Sequence, residues 1–277
     1  MSDEEADFAW GEAEKDLMAG IDTSVPHSAR IWNYWLGGKD NFPVDRLAGD
    51  DYIQTFPGIL DVARLTRQFL IRAVNYLAGD AGIRQFLDVG TGLPTVDNTH
   101  EVAQRVAPEA RIVYVDNDPL VLAHAQALLT GTAQGATDYI DADMREPATI
   151  LEAAERTLDL TRPVALTFMG VLGHITDDGE AQSVVRGMME GLPSGSFLAL
   201  ADGADDITPE FEAAQRMYDE GGSVPYKLRS QHQIVQFFAG LELLEPGIVP
   251  VPQWRPEVTP ITPPPGVQPL AGIGRKP

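Results

Sequence analysis

Apolar positions follow two spacings along the chain, and their alternation predicts a parallel sheet covered by helices. Short apolar runs indicate buried strands at residues 84–90, 110–118, 136–143, 162–170 and 195–203. Helical spacing separates them at residues 101–107, 120–129, 149–158 and 179–192. Strands that alternate with helices form βαβ units, so the predicted fold class is α/β with helices on both faces of the sheet.

Further elements flank this alternating region. Residues 60–78 carry apolar side chains at spacings of three and four, which predicts a helix that ends at Gly79. After the fifth strand, the pattern predicts helices at 208–220 and 230–240 and strands at 241–251 and 268–276. The proline-rich stretch between the last two strands predicts a long loop, because proline has no backbone N–H to donate.

The segment ARIWNYWLGGKDNF, residues 29–42, holds two of the four tryptophans. Its Gly-Gly-Lys is not a phosphate loop, which requires Gly-x-x-x-x-Gly-Lys-Ser/Thr after a strand. The residues before it have helical spacing, and the two glycines end the predicted helix. One face of that helix carries Ile31, Trp32, Trp35 and Leu36. We expect the tryptophans to be buried against the main domain.

Composition narrows the class of protein. The 277-residue chain has a net charge of −21, which repels nucleic-acid phosphates, so a nucleic-acid substrate is not expected. The absence of cysteine excludes disulfides, thiolate metal sites and a cysteine nucleophile. No apolar run approaches the length of a membrane span, and the acidic N-terminus is unlike a secretory signal. We expect a cytoplasmic protein without a membrane partner or a metal site.

A glycine turn follows the first predicted strand, which ends in Asp88-Val-Gly90-Thr91-Gly92. A Gly-x-Gly turn after a parallel strand lets a ligand approach the backbone closely. Asp116, 24 residues beyond Gly92, ends the second strand, where an acid can accept hydrogen bonds from the hydroxyls of a ribose. The turn and the acid together indicate a nucleotide site.

The ends of the next two strands add to this site. Asp143 at the third strand can accept from an adenine amino group, and Met144 can pack on the ring. Met169 ends the fourth strand, and His174 follows it as the candidate general base, with Asp141 as an alternative acid. Because ligands bind at the carboxyl ends of parallel strands, these residues are expected to surround one site.

The glycine turn argues against a dinucleotide. A dinucleotide site needs a third glycine, which brings a helix N-terminus to the pyrophosphate. Thr95 occupies that position, and the next helix begins only near Asn98. Asp88, two residues before the first glycine, suits a cationic ligand end such as an amino group. An adenine and ribose site without a phosphate cradle points to S-adenosylmethionine (SAM).

The stretches FLDVGTGLPT, VYVDNDP and YIDADMRE resemble motifs I, II and III of class I SAM-dependent methyltransferases. Residues 22–277 are similar to a bacterial SAM methyltransferase family long catalogued as a domain of unknown function. The likeness includes PHSARIWNYWLGGKDNFPVDR, FFAGLELLEPGIVPVPQWRP and AGIGRK. One departure is Pro94, which stands where motif I usually has its third glycine, so residues 94–98 are expected to follow a different path.

The resemblance implies a Rossmann-like three-layer fold whose seven-strand sheet has the order 3-2-1-4-5-7-6, with the last strand antiparallel. Within it we expect a helical cap at 22–78 and a SAM-binding domain at 79–277, preceded by an arm at 1–21 whose many acidic residues indicate a solvated segment. The methionine end of the cofactor would lie against Asp88, Gly90, Thr91 and Gly92. The ribose, the adenine and the rest of the cofactor would contact Asp116, Asn117, Asp143, Met144 and Met169.

An N-terminal helix closes over the cofactor in many methyltransferases of this class, so the segment at 29–42 becomes a candidate lid. Its candidate contacts are the helix edge and the following loop: Arg30, Tyr34, Lys39 and Asn41. Tyr34 could face the sulfonium by cation–π attraction, and Lys39 could pair with the methionine carboxylate.

The leading functional prediction is a SAM-dependent methyltransferase that acts on a small molecule, with S-adenosylhomocysteine (SAH) as product. The sequence lacks the Asn/Asp-Pro-Pro-aromatic pattern of many enzymes that methylate the amino groups of bases. A protein acceptor is the second choice. The alternatives are a SAM-binding sensor or interaction protein without catalysis, and a nicotinamide dehydrogenase on a similar fold.

Overall fold

The computed structural model describes residues 22–121, 124, 131–204, 209–221, 224–256 and 269–277. The acidic arm, most of the helix predicted at 120–129 and most of the proline-rich loop lie outside the described residues. None of the described helices is long and apolar enough to cross a bilayer.

Three helices precede the sheet: α1 (Ser28–Trp35), α2 (Pro43–Thr55) and α3 (Ile59–Ala78). The helix predicted at 60–78 is α3, and its apolar stripe is buried. α2 begins with a proline, whose missing N–H would have no partner in the first helical turn. The glycines after α1 end it as predicted, with Gly37 at a φ of 80°.

Five parallel strands form the centre of the sheet: β1 (Gln85–Val89), β2 (Arg111–Asp116), β3 (Ala136–Asp141), β4 (Ala165–Met169) and β5 (Phe197–Gly203). Each lies within a run that the apolar pattern predicts. The helices described after them are α4 (Thr99–Val106), α5 (Pro147–Ala154), α6 (Asp178–Glu190), α7 (Pro209–Glu220) and α8 (Gln231–Gln236).

The strand order is β3-β2-β1-β4-β5-β8-β6, and β8 (Pro269–Arg275) is antiparallel to β5. The short strands β6 (Glu242–Leu243) and β7 (Val249–Pro250) both pair with β8 and share the edge position. With these two counted as one strand, the order is 3-2-1-4-5-7-6 with an antiparallel last strand, so the predicted topology is confirmed.

The edge strand predicted at 241–251 is interrupted in its middle. The N–H of Gly247 donates to the carbonyl of Leu244 at 2.7 Å, which closes a turn between β6 and β7. Gly247 has a φ of 86°, and Pro246 beside it has no N–H for a sheet partner. The turn divides the free edge of the sheet into two short pieces, which limits its pairing with other chains.

Apolar side chains fill both faces of the sheet. α3 and α4 cover one face, where Phe69 and the fully buried Trp254 pack together with a ring-centroid distance of 5.4 Å. α5 and α6 cover the other face around Ile150, Leu166 and Met188. This layering leaves the carboxyl ends of β1 to β5 together at one rim.

The end of β8 is tied to the end of α6 by Lys276. Its Nζ donates to the carbonyls of Met189 at 2.7 Å, Glu190 at 3.2 Å and Leu192 at 2.6 Å. The last carbonyls of a helix have no partner within the helix, and a cation there also complements the helix dipole. The contact fixes β8 in its place beside β5.

Candidate active site

A cavity of about 410 Å³ lies at the carboxyl ends of the parallel strands, a volume typical of small-molecule sites. The loops after the strands form one side of it, and α1, α2, α3 and α7 form the other. The structure brings ten of the sequence-predicted site residues to its lining: Asp88, Gly90, Thr91, Gly92, Asp116, Asn117, Asp143, Met144, Met169 and His174.

The glycine turn after β1 needs its glycines. Gly90 and Gly92 have φ values of 71° and 65°, a region that side chains other than glycine rarely adopt. A Cβ on Gly90 would also overlap the side chain of Val171. The N–H of Gly90 donates to the carbonyl of Val115 at 2.8 Å, so the turn is anchored to β2.

Asp88 connects the strand before the glycine turn to two neighbouring elements. Its two carboxylate oxygens accept from the hydroxyls of Thr99 and Thr167, each at 2.6 Å. Burial raises the pKa of Asp88, while these two hydrogen bonds and the charge of Arg67 act in the opposite direction. The carboxylate thus joins β1 to α4 and β4 and also borders the cavity.

Asp116 joins the glycine turn to the end of β2. Its Oδ2 accepts from the N–H of Gly92 at 2.8 Å, and its Oδ1 accepts from the N–H groups of Asn117 at 2.9 Å and Asp118 at 3.1 Å. Burial raises its pKa, and these backbone hydrogen bonds oppose the rise. Oδ2 keeps one acceptor position, which suits a ribose hydroxyl.

Arg145 orients Asp143 at the end of β3. Its N–H donates to Asp143 Oδ1 at 2.9 Å, and its guanidinium lies 3.3 Å from Asp143 Oδ2. The same guanidinium donates to the carbonyl of His174 at 3.0 Å. Arg145, which the sequence motifs did not single out, therefore links the β3 end of the cavity to the β4 end.

His174 lies in a short 3₁₀ turn after β4 (Leu172–His174). Its Nδ1 lies 3.1 Å from the carbonyl of Pro225, an acceptor, so we assign the proton to Nδ1 and the free lone pair to Nε2. Its ring contacts Tyr226 edge to face, with centroids 5.1 Å apart. Burial lowers the pKa of His174, which keeps the imidazole neutral at physiological pH.

The tryptophan face of α1 borders the cavity. The lining includes Trp32 and Trp35, together with His27 and Asn33. The apolar spacing predicts that this face is buried against the main domain, and the resemblance implies that the helix edge and the following loop contact the cofactor. The apolar stripe does face inward, but the surface that it faces is partly the cavity.

Consequently, the four lid candidates Arg30, Tyr34, Lys39 and Asn41 do not line the cavity. Arg30 is buried against Asp45 at 3.1 Å, and the hydroxyl of Tyr34 donates to Asp50 at 2.6 Å. The amide of Asn41 donates to Asn33 and to the carbonyl of Gly38, while Lys39 is exposed. The contacts of Arg30, Tyr34 and Asn41 hold α1, the following loop and α2 together.

Arg67 supplies the cavity with a cation that the sequence analysis missed. It lies on the inward side of α3, donates to the carbonyl of Val96 at 3.1 Å and to Asn98 Oδ1 at 3.2 Å, and borders the cavity. Burial lowers its pKa, while the nearby charge of Asp88 acts in the opposite direction. A signal was present, because Arg67 is four residues after Ala63 and three before Leu70, within the apolar stripe.

Aromatic side chains from α1, α2, α7 and the segment after α7 also line the cavity. We call this surface the aromatic wall; it consists of Trp32, Trp35, Tyr52, Phe211, Tyr218 and Tyr226. Tyr52 links several of them, with ring centroids 5.1 Å from Trp35, 6.3 Å from Phe211 and 6.0 Å from Tyr218. The edge-to-face contacts make the wall a preformed apolar surface.

A buried charge network supports this wall from behind. Asp202 accepts from the hydroxyl of Tyr226 at 2.5 Å and from Arg229 at 3.3 Å. Arg229 has no exposed surface and also donates to the carbonyls of Leu172 and Ile175. Burial raises the pKa of Asp202, and the contacts with Tyr226 and Arg229 oppose the rise. The network neutralises the carboxylate and fixes Tyr226.

A Rossmann-like sheet with an antiparallel seventh strand, a glycine turn after β1 and carboxylates after β2 and β3 defines a class I SAM-dependent methyltransferase. The chain belongs to the S-adenosyl methyltransferase family, whose model matches residues 14–277. SAM is therefore its cofactor. The nicotinamide dehydrogenase alternative is therefore rejected.

Two solved structures extend the assignment. A DUF574 family protein from Streptomyces avermitilis is 46% identical, with a TM-score of 0.89, and the match covers 92% of this chain and 99% of that one. A predicted methyltransferase from Thermobifida fusca is 42% identical, with a TM-score of 0.86, over 93% of this chain and 97% of that one. Among curated proteins, the comparison finds no match.

Proposed function

We propose that the protein transfers the methyl group of SAM to a small-molecule acceptor that binds against the aromatic wall. The observation that carries the proposal is that the glycine turn, Asp116 and the aromatic wall border one cavity. A concave aromatic surface of this kind suits a small molecule better than the polar backbone of a protein acceptor.

The lining fits the polar groups of SAM. The buried hydroxyls of Thr66 and Thr95 both belong to cavity-lining residues and have no hydrogen-bond partner among the described residues. Unpaired buried polar atoms are costly, so a ligand that pairs them gains affinity. Arg67 follows Thr66 and contacts the loop at Val96, so these groups would together hold the methionine carboxylate.

The other residues orient the rest of the cofactor. Asp88 would favour the amino group by charge, Asp116 Oδ2 would accept from the ribose, and Asp143 with Met144 would hold the adenine. When bound, SAM supplies a methyl group already activated by the sulfonium. The chain mainly has to hold the acceptor in line with that methyl group, and such positioning supplies about 7–11 kcal/mol.

Calorimetric titration with SAH tests the proposal, and Arg67→Met tests the carboxylate site. We expect Arg67→Met to weaken SAH affinity by about 10- to 100-fold, because hydrogen bonds to charged groups contribute about 1.5–3 kcal/mol each. Adenosine, which has no carboxylate, should bind both proteins equally. Arg64→Met is the matched control, since Arg64 is exposed on the same helix and does not border the cavity.

Each measurement has an outcome that would contradict the proposal. No SAH binding at millimolar concentration would overturn the proposed function. Equal SAH affinity in Arg67→Met would remove Arg67 from the carboxylate site. Tight SAH binding combined with a closed aromatic wall, where no small molecule binds to the SAH complex, would favour the non-catalytic sensor instead.

A further inference from the structure

The chemistry of the acceptor can be narrowed by the charges that face the aromatic wall. Cavity-lining Arg67 and Arg145 lie on the α3 and β3 sides. Two further cations, Lys227 and Arg229, follow Tyr226 in the chain and do not border the cavity. Lys227 pairs with Asp178 at 2.9 Å, and the fully buried Arg229 donates to Asp178, Asp202 and two carbonyls. Within the described residues, the wall therefore offers no cation to an acidic acceptor.

The wall is equally unsuited to a cationic acceptor. Its carboxylate, Asp202, is 1% exposed and already accepts from Tyr226 and Arg229. The amide of Gln215 is also engaged, because it accepts from Tyr52 at 3.2 Å and donates to Asp219 at 2.9 Å. Asp219 Oδ1 accepts from Gln215 and from the N–H of Tyr226, and Asp219 does not border the cavity. Among the described residues, the one carboxylate of the wall that lines the cavity, Asp202, therefore has a partner on each oxygen and is not free to bind an ammonium group.

His174 lines the cavity beside Tyr226, and its Nε2 has no hydrogen-bond partner among the described residues. With Nδ1 assigned to Pro225, Nε2 can only accept, so it calls for an O–H or N–H donor on the ligand. A neutral amine is nucleophilic without losing a proton, whereas a hydroxyl attached to a ring must lose one during attack. His174, a base beside the aromatic wall, is therefore suited to an acceptor in which a hydroxyl group is attached to an aromatic ring.

We propose that the acceptor is an uncharged aromatic ring bearing a hydroxyl group, which stacks on the aromatic wall and donates its O–H to His174 Nε2. This inference rests on the proposed function. In the reaction, the phenolic oxygen bonds to the methyl carbon as the bond between that carbon and sulfur breaks. The phenolic proton passes to Nε2 and then to solvent, and the products are the aryl methyl ether and SAH.

Three ring-matched probes test the charge argument: 2-naphthol, the anion 2-naphthoate and the cation 2-naphthylmethylammonium. Calorimetry with the SAH-loaded protein should give an affinity for 2-naphthol at least about tenfold higher than for either charged probe. With SAM, 2-naphthol should be converted to 2-methoxynaphthalene. Tighter binding of a charged probe, or failure of 2-naphthol to bind at millimolar concentration, overturns the inference.

A variant of His174 tests the proton acceptor. His174→Asn keeps an N–H near the carbonyl of Pro225 but removes Nε2, so turnover of 2-naphthol should fall by about 100-fold or more while SAH affinity stays the same. His232→Asn, an exposed position on α8, is the matched control. Turnover within about threefold of the parent protein overturns the assignment. SAH binding is measured before the acceptor probes are added. If SAH does not bind, the proposed function fails; if SAH binds and 2-naphthol does not, only this inference fails.

Discussion

His174 shows how the surroundings of one side chain set its chemistry. Its backbone partner fixes the proton on Nδ1, and its burial disfavours the charged form. The first effect chooses which nitrogen can accept a proton, and the second makes that nitrogen available over a wider pH range. A histidine without the Pro225 contact would lose the first property, and one with an exposed ring would lose the second.

This environment predicts the pH dependence of methyl transfer. Because burial lowers the pKa of His174, the imidazole is protonated only below the usual histidine value of about 6.5. Turnover should therefore rise with pH through a midpoint below about 6.5 and stay level up to about pH 8. The check is turnover under saturating SAM across this range; a midpoint above 7 would contradict it, and His174→Asn should abolish the midpoint.

At the scale of the element, α1 and α2 depend on one buried carboxylate. Asp45, which has no exposed surface, accepts from Arg30 at 3.1 Å, from the N–H of His27 at 2.9 Å and from the N–H of Phe42 at 2.8 Å. It holds the start of α1 against the start of α2. The position of the tryptophans in the aromatic wall follows from this contact.

Removal of Asp45 should therefore destabilise the protein. Asp45→Ala leaves Arg30 as a buried charge without its partner, which costs about 3–5 kcal/mol in the free energy of unfolding. Urea denaturation followed by circular dichroism measures the change. Asp50→Ala is the control, since it removes only the surface hydrogen bond to Tyr34 and should cost less than about 1 kcal/mol. Equal losses in the two variants would show that Asp45 does not hold α1.

The same elements show what sequence reasoning could reach. The five parallel strands and α3 follow from apolar spacing alone, because burial of a whole strand or one helix face leaves a period in the sequence. The side of α1 that faces the cavity cannot be predicted from apolar spacing. An apolar stripe predicts that a face turns inward, but the sequence does not distinguish a packed core from a cavity. Arg67 has the spacing of the apolar stripe of α3, but spacing does not show that it borders a cavity, because its partners, the carbonyl of Val96 and Asn98 Oδ1, lie on a loop distant in sequence.

At the scale of the whole molecule, the net charge of −21 affects how cofactor and product compete. SAM carries a net positive charge at neutral pH, whereas SAH is neutral overall. A strongly acidic protein attracts the cation over distances of about a Debye length, roughly 10 Å at 0.1 M salt. The surface field therefore favours the cofactor over its product.

The affinities of SAM and SAH should therefore depend differently on salt concentration. An increase from about 50 mM to about 500 mM sodium chloride shortens the Debye length severalfold, so SAM affinity should fall by about three- to tenfold while SAH affinity changes by less than twofold. Calorimetric titrations of both molecules at the two salt concentrations provide the measurement. A parallel loss for SAM and SAH would mean that local contacts, not the overall charge, set the preference.

The place of β8 between β5 and the short edge strands has a consequence for solubility. β5 is a seven-residue strand with every residue buried, and β8 is what satisfies its outer row of backbone groups. If β8 detached from β5, β5 would become a long edge strand with apolar side chains, and strands of other molecules could pair with it. Because Lys276 anchors β8 to the end of α6, we expect it to limit self-association of the protein through the edge of β5.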